Sequence, residues 1–597
     1  MRVVARQTKR YLAPGALFFV ILTLLYAPAS LFWDNRESVE LERFMNTNTN
    51  PASVLTTVPS SFDWGQVALT YLPPDHVNPL PRGRPKSLPR VQHSFGRESS
   101  AEAEIRRTRR NEVRSVFAND WQSYRQYAWK KDALTPVSAG SRDQFSGWAA
   151  TLVDSLDTLW IMGFKDEFEE AVAAVAEIDF GSSTTPRVNI FETTIRYLGG
   201  LLAAYDLSQR KVLLDKAVEL GNLIYGGFNT PSRMPVDFID FAAAKEGQGL
   251  NIEEWVVSAS PGTLSMELTR LSQLTGDPKY YDVASRLMRE FHAQQSQTLL
   301  PGLWPIWVSM KNLDLHGRRE FTLGGSADSL YEYLPKMYAL LGGLDPMYEN
   351  MTTNFIEAAM DYLFFRPMLP NGEDILISGN VNVNTDGQAF FDPESEHLTC
   401  FIGGTVALAG RLLGKRDYVE VGAKLADGCA YAYQAFESGI MPERYNMVPC
   451  EPTQDGTCPW DEEMWLRAKE QRREWKPHLP KGFTTAKDPR HLLRPEAIES
   501  LFVLYRITGD ATYQELAWDM FQAVTRASRT KHGHASVRDV TQVFEEETRD
   551  SNLEDFMETF WLAETLKYYY LIFSPPDLIS LDEWVLNTEA HPFRRPK

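Results

Sequence analysis

The sequence lacks the short motifs that mark several large enzyme classes. It has no zinc-binding signature, no glycine-rich phosphate loop and no nucleophile elbow. Basic residues are in the minority, because 61 lysines and arginines stand against 79 aspartates and glutamates, for a formal net charge of −18. A chain of that charge is repelled by the phosphates of DNA and RNA. The missing motifs therefore disfavour zinc enzymes, nucleotide-dependent enzymes and serine hydrolases. The negative net charge disfavours nucleic-acid partners.

One stretch near the N-terminus lacks charge altogether. It runs from Tyr11 to Trp33 and is long enough to cross a bilayer as a helix. Basic residues precede it and acidic residues follow it, which predicts a cytosolic tail over 1–10 and a lumenal location for the rest. A cleaved signal peptide is the alternative, because Ala27-Pro28-Ala29 resembles a cleavage site. Residues 34–100 are rich in Pro, Ser, Thr and Asn, and we expect them to form an extended stem.

Cysteine is also scarce, with four in the chain. In a lumenal protein these cysteines are expected to pair. Cys400 and Cys429 fall on the two helices of one predicted hairpin, and Cys450 and Cys458 bracket a short loop. The sequence therefore favours the bridges 400–429 and 450–458 over the other two connectivities.

What the chain does contain is a helical repeat. Similar turns recur at intervals of about 70 residues, with a longer last interval, at Ser208, Gly276-Asp277, Gly342-Gly343, Gly414 and Gly509-Asp510. Nearly apolar helices precede these turns, and amphipathic helices follow them. The predicted inner helices are 146–162, 190–206, 261–275, 325–342, 399–413, 495–508 and 556–573. The predicted outer helices are 102–131, 165–178, 210–225, 277–294, 346–365, 415–436 and 511–528. Seven of each predict an all-α fold, an (α/α)7 barrel over residues 101–597.

Three acidic residues lie near the N-terminal ends of inner helices, and hence at one end of the predicted barrel. Glu192 has apolar neighbours and is a candidate general acid, although an ion pair with Arg196 one turn on is the simpler interpretation. The simpler interpretation of Asp328 is a helix N-cap, and that of Glu496 is compensation of a helix dipole. Because three independent acids reach the same end, a shared chemical role is favoured.

Other residues give weaker signals. Glu564 lies in an otherwise apolar helix, and Glu558, six residues earlier, does not share its helical face. His397 is the single histidine at the predicted barrel mouth, so a histidine–metal cluster is not expected. A hard cation such as calcium, bound by hydroxyl, carbonyl and water oxygens, is compatible with the sequence. Aromatic residues make up 12% of the chain, which suits a site that stacks on sugar rings.

Together, these motifs resemble those of the class I α-1,2-mannosidases of glycoside hydrolase family 47. The resemblance covers about residues 105–593. Its carriers are GWAATLVDSLDTLWIMG, FETTIRYLGGLLAAYDLS, GGSADSLYEYLPK, HLTCFIGG, LRPEAIESLFVLYRITGD, ETFWLAETLKYYYLIF and WVLNTEAHP. It implies an inverting, calcium-dependent enzyme that removes terminal α-1,2-linked mannose from high-mannose N-glycans in the endoplasmic reticulum or Golgi.

The resemblance also implies roles for individual residues. Glu192 matches the acid that protonates the leaving group, Glu496 matches the base that activates water, and Asp328 matches the third essential carboxylate, which in some interpretations exchanges roles with Glu192. Thr588 matches the direct calcium ligand, and Cys400 and Cys429 match the disulfide of the family. The positions that line the sugar site are Arg196, His397, Arg494, Phe560, Glu564 and Glu589.

Two other functions remain open at this point. A degradation-enhancing mannosidase-like protein would select misfolded glycoproteins, but the Cys400/Cys429 pair argues against it. A non-catalytic glycan-binding protein on the same barrel would not need a full set of acids and bases. The segment 446–486 is longer than expected for a connection between these helices. Because loops at a barrel mouth shape the outer sugar-binding sites, the sequence does not predict the preferred glycan branch.

Overall fold

The computed structural model describes residues 55–597 except for 74–75, 452, 454–455, 473–475, 477 and 543–548. The predicted tail over 1–10, the anchor over 11–33 and the first part of the stem lie outside the described residues. Within the described part, no helix is both long enough and apolar enough to span a bilayer.

Two concentric layers of helices form the described part of the chain. The outer helices are Ser100–Tyr127, Lys165–Ala176, Lys211–Gly226, Pro278–Gln294, Pro346–Tyr362, Arg416–Ala435 and Thr512–Ser528. The inner helices are Ala150–Asp154 with Leu156–Met162, Ile190–Glu192 with Gly199–Ser208, Ala259–Gly262 with Ser265–Thr275, Asp328–Leu340, Phe401–Leu413, Glu496–Thr508 and Leu566–Ile572. The ring closes where the last inner turn meets the first, because Thr158 Oγ1 donates to the carbonyl of Ala563 at 3.1 Å. The predicted barrel of seven inner and seven outer helices is confirmed.

The recurrent turn has a simple chemical basis. Gly276 adopts a φ of 75° that ends an inner helix, and the Asp277 side chain then accepts the backbone N–H of Lys279 at the start of the next outer helix. Pro278 occupies the first turn of that outer helix, where its missing N–H costs nothing. A left-handed stop followed by an aspartate cap reverses the chain, so inner and outer helices run antiparallel.

Short antiparallel strands join the outer helices to the next inner helices at one end of the barrel, here called the mouth. They form the two-stranded antiparallel pairs Ala133–Thr135 with Gly140–Arg142, Arg187–Asn189 with Phe238–Asp240, Val256–Val257 with Trp307–Val308, Phe364–Phe365 with Ile377–Ser378, and Arg529–Thr530 with Gly533–His534. Two three-stranded sheets join Ala389–Asp392, Asn380–Val383 and Glu320–Phe321, and Glu394–Glu396, Arg444–Met447 and Phe483–Asp488. Two further helices lie between these strands, Phe241–Lys245 after the strand Phe238–Asp240 and Glu462–Glu470 before the strand Phe483–Asp488.

The N-terminal segment 55–98 runs along the outside of the barrel. Trp64 is buried, and its indole Nε1 donates to the carbonyl of Phe180 at 2.8 Å. Farther along, the backbone N–H of Asn78 donates to Asp282 on an outer helix, and that of His93 donates to the carbonyl of Arg506. The part of the predicted stem from residue 55 onwards therefore packs on the helices.

The C-terminal segment 574–597 runs inside the barrel. It enters from the end opposite the mouth as a hairpin, Trp584–Leu586 paired with Pro592–Arg594. At its tip, the Asn587 amide donates to Glu267 Oε1 at 2.8 Å and to the carbonyl of Ile195 at 3.2 Å. His591 contacts Asp154 and Asp157, each at 3.1 Å. The segment 55–98 thus packs on the outside of the barrel, whereas the segment 574–597 packs inside it.

Candidate active site

The three predicted carboxylates all lie at the starts of inner helices. Glu192 ends the short helix that begins at Ile190 and is capped by Asn189, whose side chain accepts the N–H of Glu192 at 2.9 Å. Asp328 and Glu496 are the first residues of their helices. Asp328 is therefore not the N-cap of its helix, because Ala327 occupies that position. All three side chains are partly exposed, whereas most of the residues around them are buried.

Arg196 connects Glu192 with the C-terminal hairpin. Its Nε donates to Glu192 at 2.8 Å, and its Nη1 donates to Thr559 at 2.9 Å and to Glu589 at 3.1 Å. The predicted ion pair with Glu192 is thus present, but it is one part of a larger network. Arg196 lies in a π-helical turn, Thr193–Leu198, and a second such turn, Trp561–Thr565, carries Glu564. Turns of this kind are often found at functional sites.

Both arginines of the site lie near one aromatic ring. The guanidinium of Arg196 lies 5.8 Å from the centre of the Phe560 ring, and that of Arg494 lies 5.7 Å from it. Arg494 also donates to Glu443 at 2.5 Å. Phe560 therefore contacts both cations with its apolar ring.

His397 is fixed between two oxygen atoms. Its Nδ1 lies 2.7 Å from Glu496 Oε2, and its Nε2 lies 2.7 Å from the Tyr433 hydroxyl. Burial lowers the pKa of His397 to about 4, so the ring is neutral at pH 7. The arrangement is consistent if Tyr433 donates to Nε2 and Nδ1–H donates to Glu496, which fixes the orientation of that carboxylate.

Several carboxyl groups near the mouth bind protons unusually tightly. Burial raises the pKa of Asp328 to about 7, and the neighbouring carboxylates of Glu396, Glu332 and Glu496 add to the effect. Burial also raises the pKa of Glu496 to about 7, although Arg494 opposes the shift. Groups with pKa values near neutrality can both donate and accept protons at physiological pH.

Glu558 belongs to this group as well. Burial raises its pKa to about 7 against the opposing charges of Arg196 and Arg494, which places it beside both arginines. The prediction that Glu558 and Glu564 do not share one helical face assumed a continuous helix. Glu558 precedes the helix, and a π turn contains Glu564, so the six-residue spacing does not describe their geometry.

The tip of the C-terminal hairpin brings Thr588 and Glu589 to the inner end of this network. Thr588 is partly exposed, and its backbone N–H lies 3.4 Å from the Tyr333 hydroxyl. Glu589 is buried against Glu564, whose pKa is raised well above its usual value by burial and by the Glu589 carboxylate. The Oε2 atom of Glu564 is buried without a hydrogen-bond partner.

This donor set fits a hard cation. Carboxylates that repel one another, an unpaired buried carboxylate oxygen and the hydroxyl and carbonyl oxygens of Thr588 are the ligand types that calcium prefers. Among the described residues, no group of three or more His, Cys, Asp or Glu side chains is arranged to hold a metal by itself. A cation here would therefore depend on Thr588 and on water.

Two further acids were not singled out from the sequence. Glu332 and Glu499 are both buried, and both pair with Lys336, with an Nζ to Oε1 distance of 3.2 Å for Glu499. The sequence did contain a signal for both acids, because Glu332 follows Asp328 by four residues and Glu499 follows Glu496 by three. Such spacings place side chains on the same helical face.

Both predicted disulfides are present. Cys400 and Cys429 join an inner helix start to its outer partner, and Cys450 and Cys458 close a loop in the long segment before the strand Phe483–Asp488. The connectivity favoured from the sequence is confirmed.

Comparison with known proteins gives a consistent result. The model of glycosyl hydrolase family 47 matches residues 116–595. The chain is 33% identical over 509 residues to mannosyl-oligosaccharide 1,2-alpha-mannosidase MNS1 of Arabidopsis thaliana, covering 83% of this chain and 80% of that protein. It is 34% identical over 493 residues to the human endoplasmic reticulum mannosyl-oligosaccharide 1,2-alpha-mannosidase, covering 81% of this chain and 64% of that protein.

A solved structure agrees with these relatives. The alpha-1,2-mannosidase from Trichoderma reesei superposes with a TM-score of 0.72 at 31% identity, covering 82% of this chain and 99% of that one. The family match, the relatives and the superposed barrel extend over most of the described residues. The chain belongs to glycosyl hydrolase family 47.

Proposed function

We propose that this glycoside hydrolase is an exo-α-1,2-mannosidase that trims terminal mannose from the high-mannose N-glycans of glycoproteins. One observation carries the proposal: Glu192, Asp328 and Glu496 lie at the starts of three different inner helices, partly exposed at the mouth of one barrel. The names of the family relatives support the choice of substrate. A protein that only bound glycans would not need a buried acid–base network of this kind.

The proposed roles follow from the carboxylates and their supports. Glu192 protonates the leaving oxygen, Glu496 takes the proton of the attacking water, and Asp328 is the third essential carboxylate. Inversion requires a water molecule between the sugar and the base, and hence carboxyl groups spaced more widely than in a retaining enzyme. His397 supports the base, because its hydrogen bond fixes the Glu496 carboxylate.

Binding of the sugar is assigned to the groups between these carboxylates. Phe560 offers an apolar ring to the C–H face of mannose. Arg196, Arg494, Glu564 and Glu589 offer donors and acceptors for its hydroxyl groups. Hydrogen bonds fix the positions of Arg196, Arg494 and Glu589, so this part of the pocket is pre-organised.

We further propose Thr588 as the direct ligand of a calcium ion, with Glu564 and Glu589 acting through water. When bound, calcium would hold sugar hydroxyls and the attacking water in line for displacement. The chain's own residues supply the rest, since the hairpin that carries Thr588 is held in place by Asn587 and His591.

The location of the protein is part of the proposal. We place the barrel in the lumen of the endoplasmic reticulum or Golgi, held to the membrane by the segment 11–33. The two disulfides support an oxidising compartment.

Digestion of defined glycans tests the activity. We expect residues 55–597 to release free mannose from a fluorescently labelled high-mannose glycan and from α-1,2-mannobiose, but not from α-1,3- or α-1,6-mannobiose. The products are resolved by chromatography and their linkages are determined by methylation. Binding of the labelled glycan without any release of mannose would show that the protein is a glycan-binding protein instead.

A further inference from the structure

A three-stranded sheet at the mouth exposes a mixed aromatic and polar face. This rim sheet consists of Glu320–Phe321, Asn380–Val383 and Ala389–Asp392. Asn382 pairs with Glu320 on one side and with Phe390 on the other. Residues that pair across antiparallel strands point to the same face, and all three of these are exposed, whereas Phe321 and Val381 on the other face are buried.

The two neighbouring phenylalanines of the rim sheet differ in their surroundings. The ring of Phe391 lies 5.3 Å from that of Phe365, and it fills the space in which a side chain at Gly379 would stand. Phe391 therefore packs part of its ring against the protein and is 40% exposed. Phe390 is 49% exposed, so its ring is accessible to solvent.

The chemistry of this face matches a neutral sugar. A pyranose ring has an apolar C–H face that stacks on an aromatic ring, and hydroxyl groups that bind amides and carboxylates. Phe390, Asn382 and Glu320 offer these groups in one row, about 10 Å long at the usual strand spacing. The backbone carbonyl of Glu320 accepts the N–H of Ile306. The next residue after Ile306 is Trp307, whose side chain is also exposed.

The rim sheet is continuous with the candidate active site. The chain runs from Phe321 through Gly324 and Gly325 directly to Asp328, and from Asp392 through the strand Glu394–Glu396 directly to His397. The N–H of Gly325 donates to Glu396 at 2.9 Å, which ties these two runs together. A glycan arm that leaves the site over this edge would meet the row of Glu320, Asn382 and Phe390.

We propose that the rim sheet binds the part of the oligosaccharide substrate that is not cleaved, by stacking a sugar ring on Phe390 and hydrogen-bonding it to Asn382 and Glu320. The occupant is a neutral oligosaccharide attached to the mannose in the active site. This inference rests on the proposed mannosidase function. It makes the rim sheet a determinant of the preference for branched glycans over short ones.

A comparison of two substrates tests the proposal. We expect Phe390→Ala to lower the ratio of kcat/KM for a free high-mannose glycan to kcat/KM for α-1,2-mannobiose by about tenfold, mainly through the KM of the large glycan. Phe390→Tyr should restore the ratio because it retains the ring. Leu72→Ala, which removes an exposed apolar side chain from the N-terminal segment, is the matched control and should leave the ratio unchanged.

Each alternative outcome has a distinct meaning. Equal losses on both substrates, or no loss on the large glycan, would overturn the proposal for the rim sheet. A loss seen only with an intact glycoprotein would assign this face to polypeptide and would overturn it as well. If the unaltered enzyme released no mannose from either substrate, the proposed function itself would fail, which is a different result.

Discussion

The two ends of the described chain are both largely non-helical, yet they contact different parts of the barrel. Residues 55–98 follow the outer helices and contribute Trp64 and Asn78 to contacts on the outside of the barrel. Residues 574–597 fill the inside and bring Thr588 and Glu589 to the carboxylates. The outer segment is therefore expected to govern stability, and the inner segment to govern both stability and chemistry. The role of a non-helical segment can therefore be inferred only from its burial and its contacts.

The largest effect should come from substitution of Glu496, the mouth carboxylate that is hydrogen-bonded to His397. Glu496→Gln removes the proposed base while keeping the shape of the side chain, so kcat should fall by about a hundredfold to ten-thousandfold with little change in melting temperature. Steady-state kinetics and thermal melting on the same sample measure both. Glu357→Gln, on an outer helix, is the control and should change neither. A large fall in melting temperature with retained kcat would make Glu496 structural.

Trp64 tests the outer segment. It is buried between Phe62 and Phe241 and hydrogen-bonded to Phe180, so Trp64→Ala should lower the free energy of unfolding by about 3 kcal/mol. The kcat of the folded enzyme should stay within about twofold, because the partners of Trp64 among the described residues do not include the mouth carboxylates. Denaturant unfolding gives the first quantity, and kinetics at low temperature give the second. A loss of kcat at unchanged stability would erase the distinction between the two segments.

The inner segment should show a pH dependence of stability that the outer segment does not. Burial opposes a charge on His591, but the carboxylates of Asp157 and Asp154 outweigh it and raise the pKa to about 9. The unfolded value is about 6.5. Because the folded pKa is the higher one, this stabilisation is complete below pH 6.5 and is lost as the pH rises through 9. It amounts to at most about 3 kcal/mol.

His591→Gln checks that assignment. Urea unfolding between pH 6.5 and 9.5 should show a smaller loss of stability with rising pH in the variant than in the unaltered protein. Trp64→Ala should keep the full slope. An identical slope in His591→Gln would mean that another group carries the dependence.

The smallest expected effect concerns calcium at the tip of the hairpin. Thr588→Ala should weaken calcium binding by about tenfold or more and reduce the rise in melting temperature that calcium produces, because a ligand of the folded state stabilises it by mass action. Thr275→Ala serves as the control, because Thr275 is the last residue of an inner helix and lies at the end of the barrel opposite the mouth. Calorimetry and melting with and without calcium provide the readouts. Equal affinities in all three proteins would remove Thr588 from the site.

The sequence predicted the barrel because its turns and helix periods are local. The shared location of Glu192, Asp328 and Glu496 followed from the same local signals, since each lies in the first turn of an inner helix. The helix around Glu558 was predicted to begin too early, because nothing local reveals that the helix starts after Glu558 and that Glu564 lies in a π turn. Thr588 was predicted by resemblance alone, and its place in the hairpin depends on contacts with residues far away in the chain. The packing of 55–98 on the barrel is likewise a long-range property, and the composition suggested only a stem.

Proton NMR of freshly released mannose, recorded with and without a calcium chelator, tests the central claim most directly. If the mouth carboxylates act by inversion and the hairpin holds calcium, β-mannose appears first in the presence of calcium and no mannose is released when the chelator is in excess. First appearance of α-mannose, or full activity in excess chelator, would contradict the account.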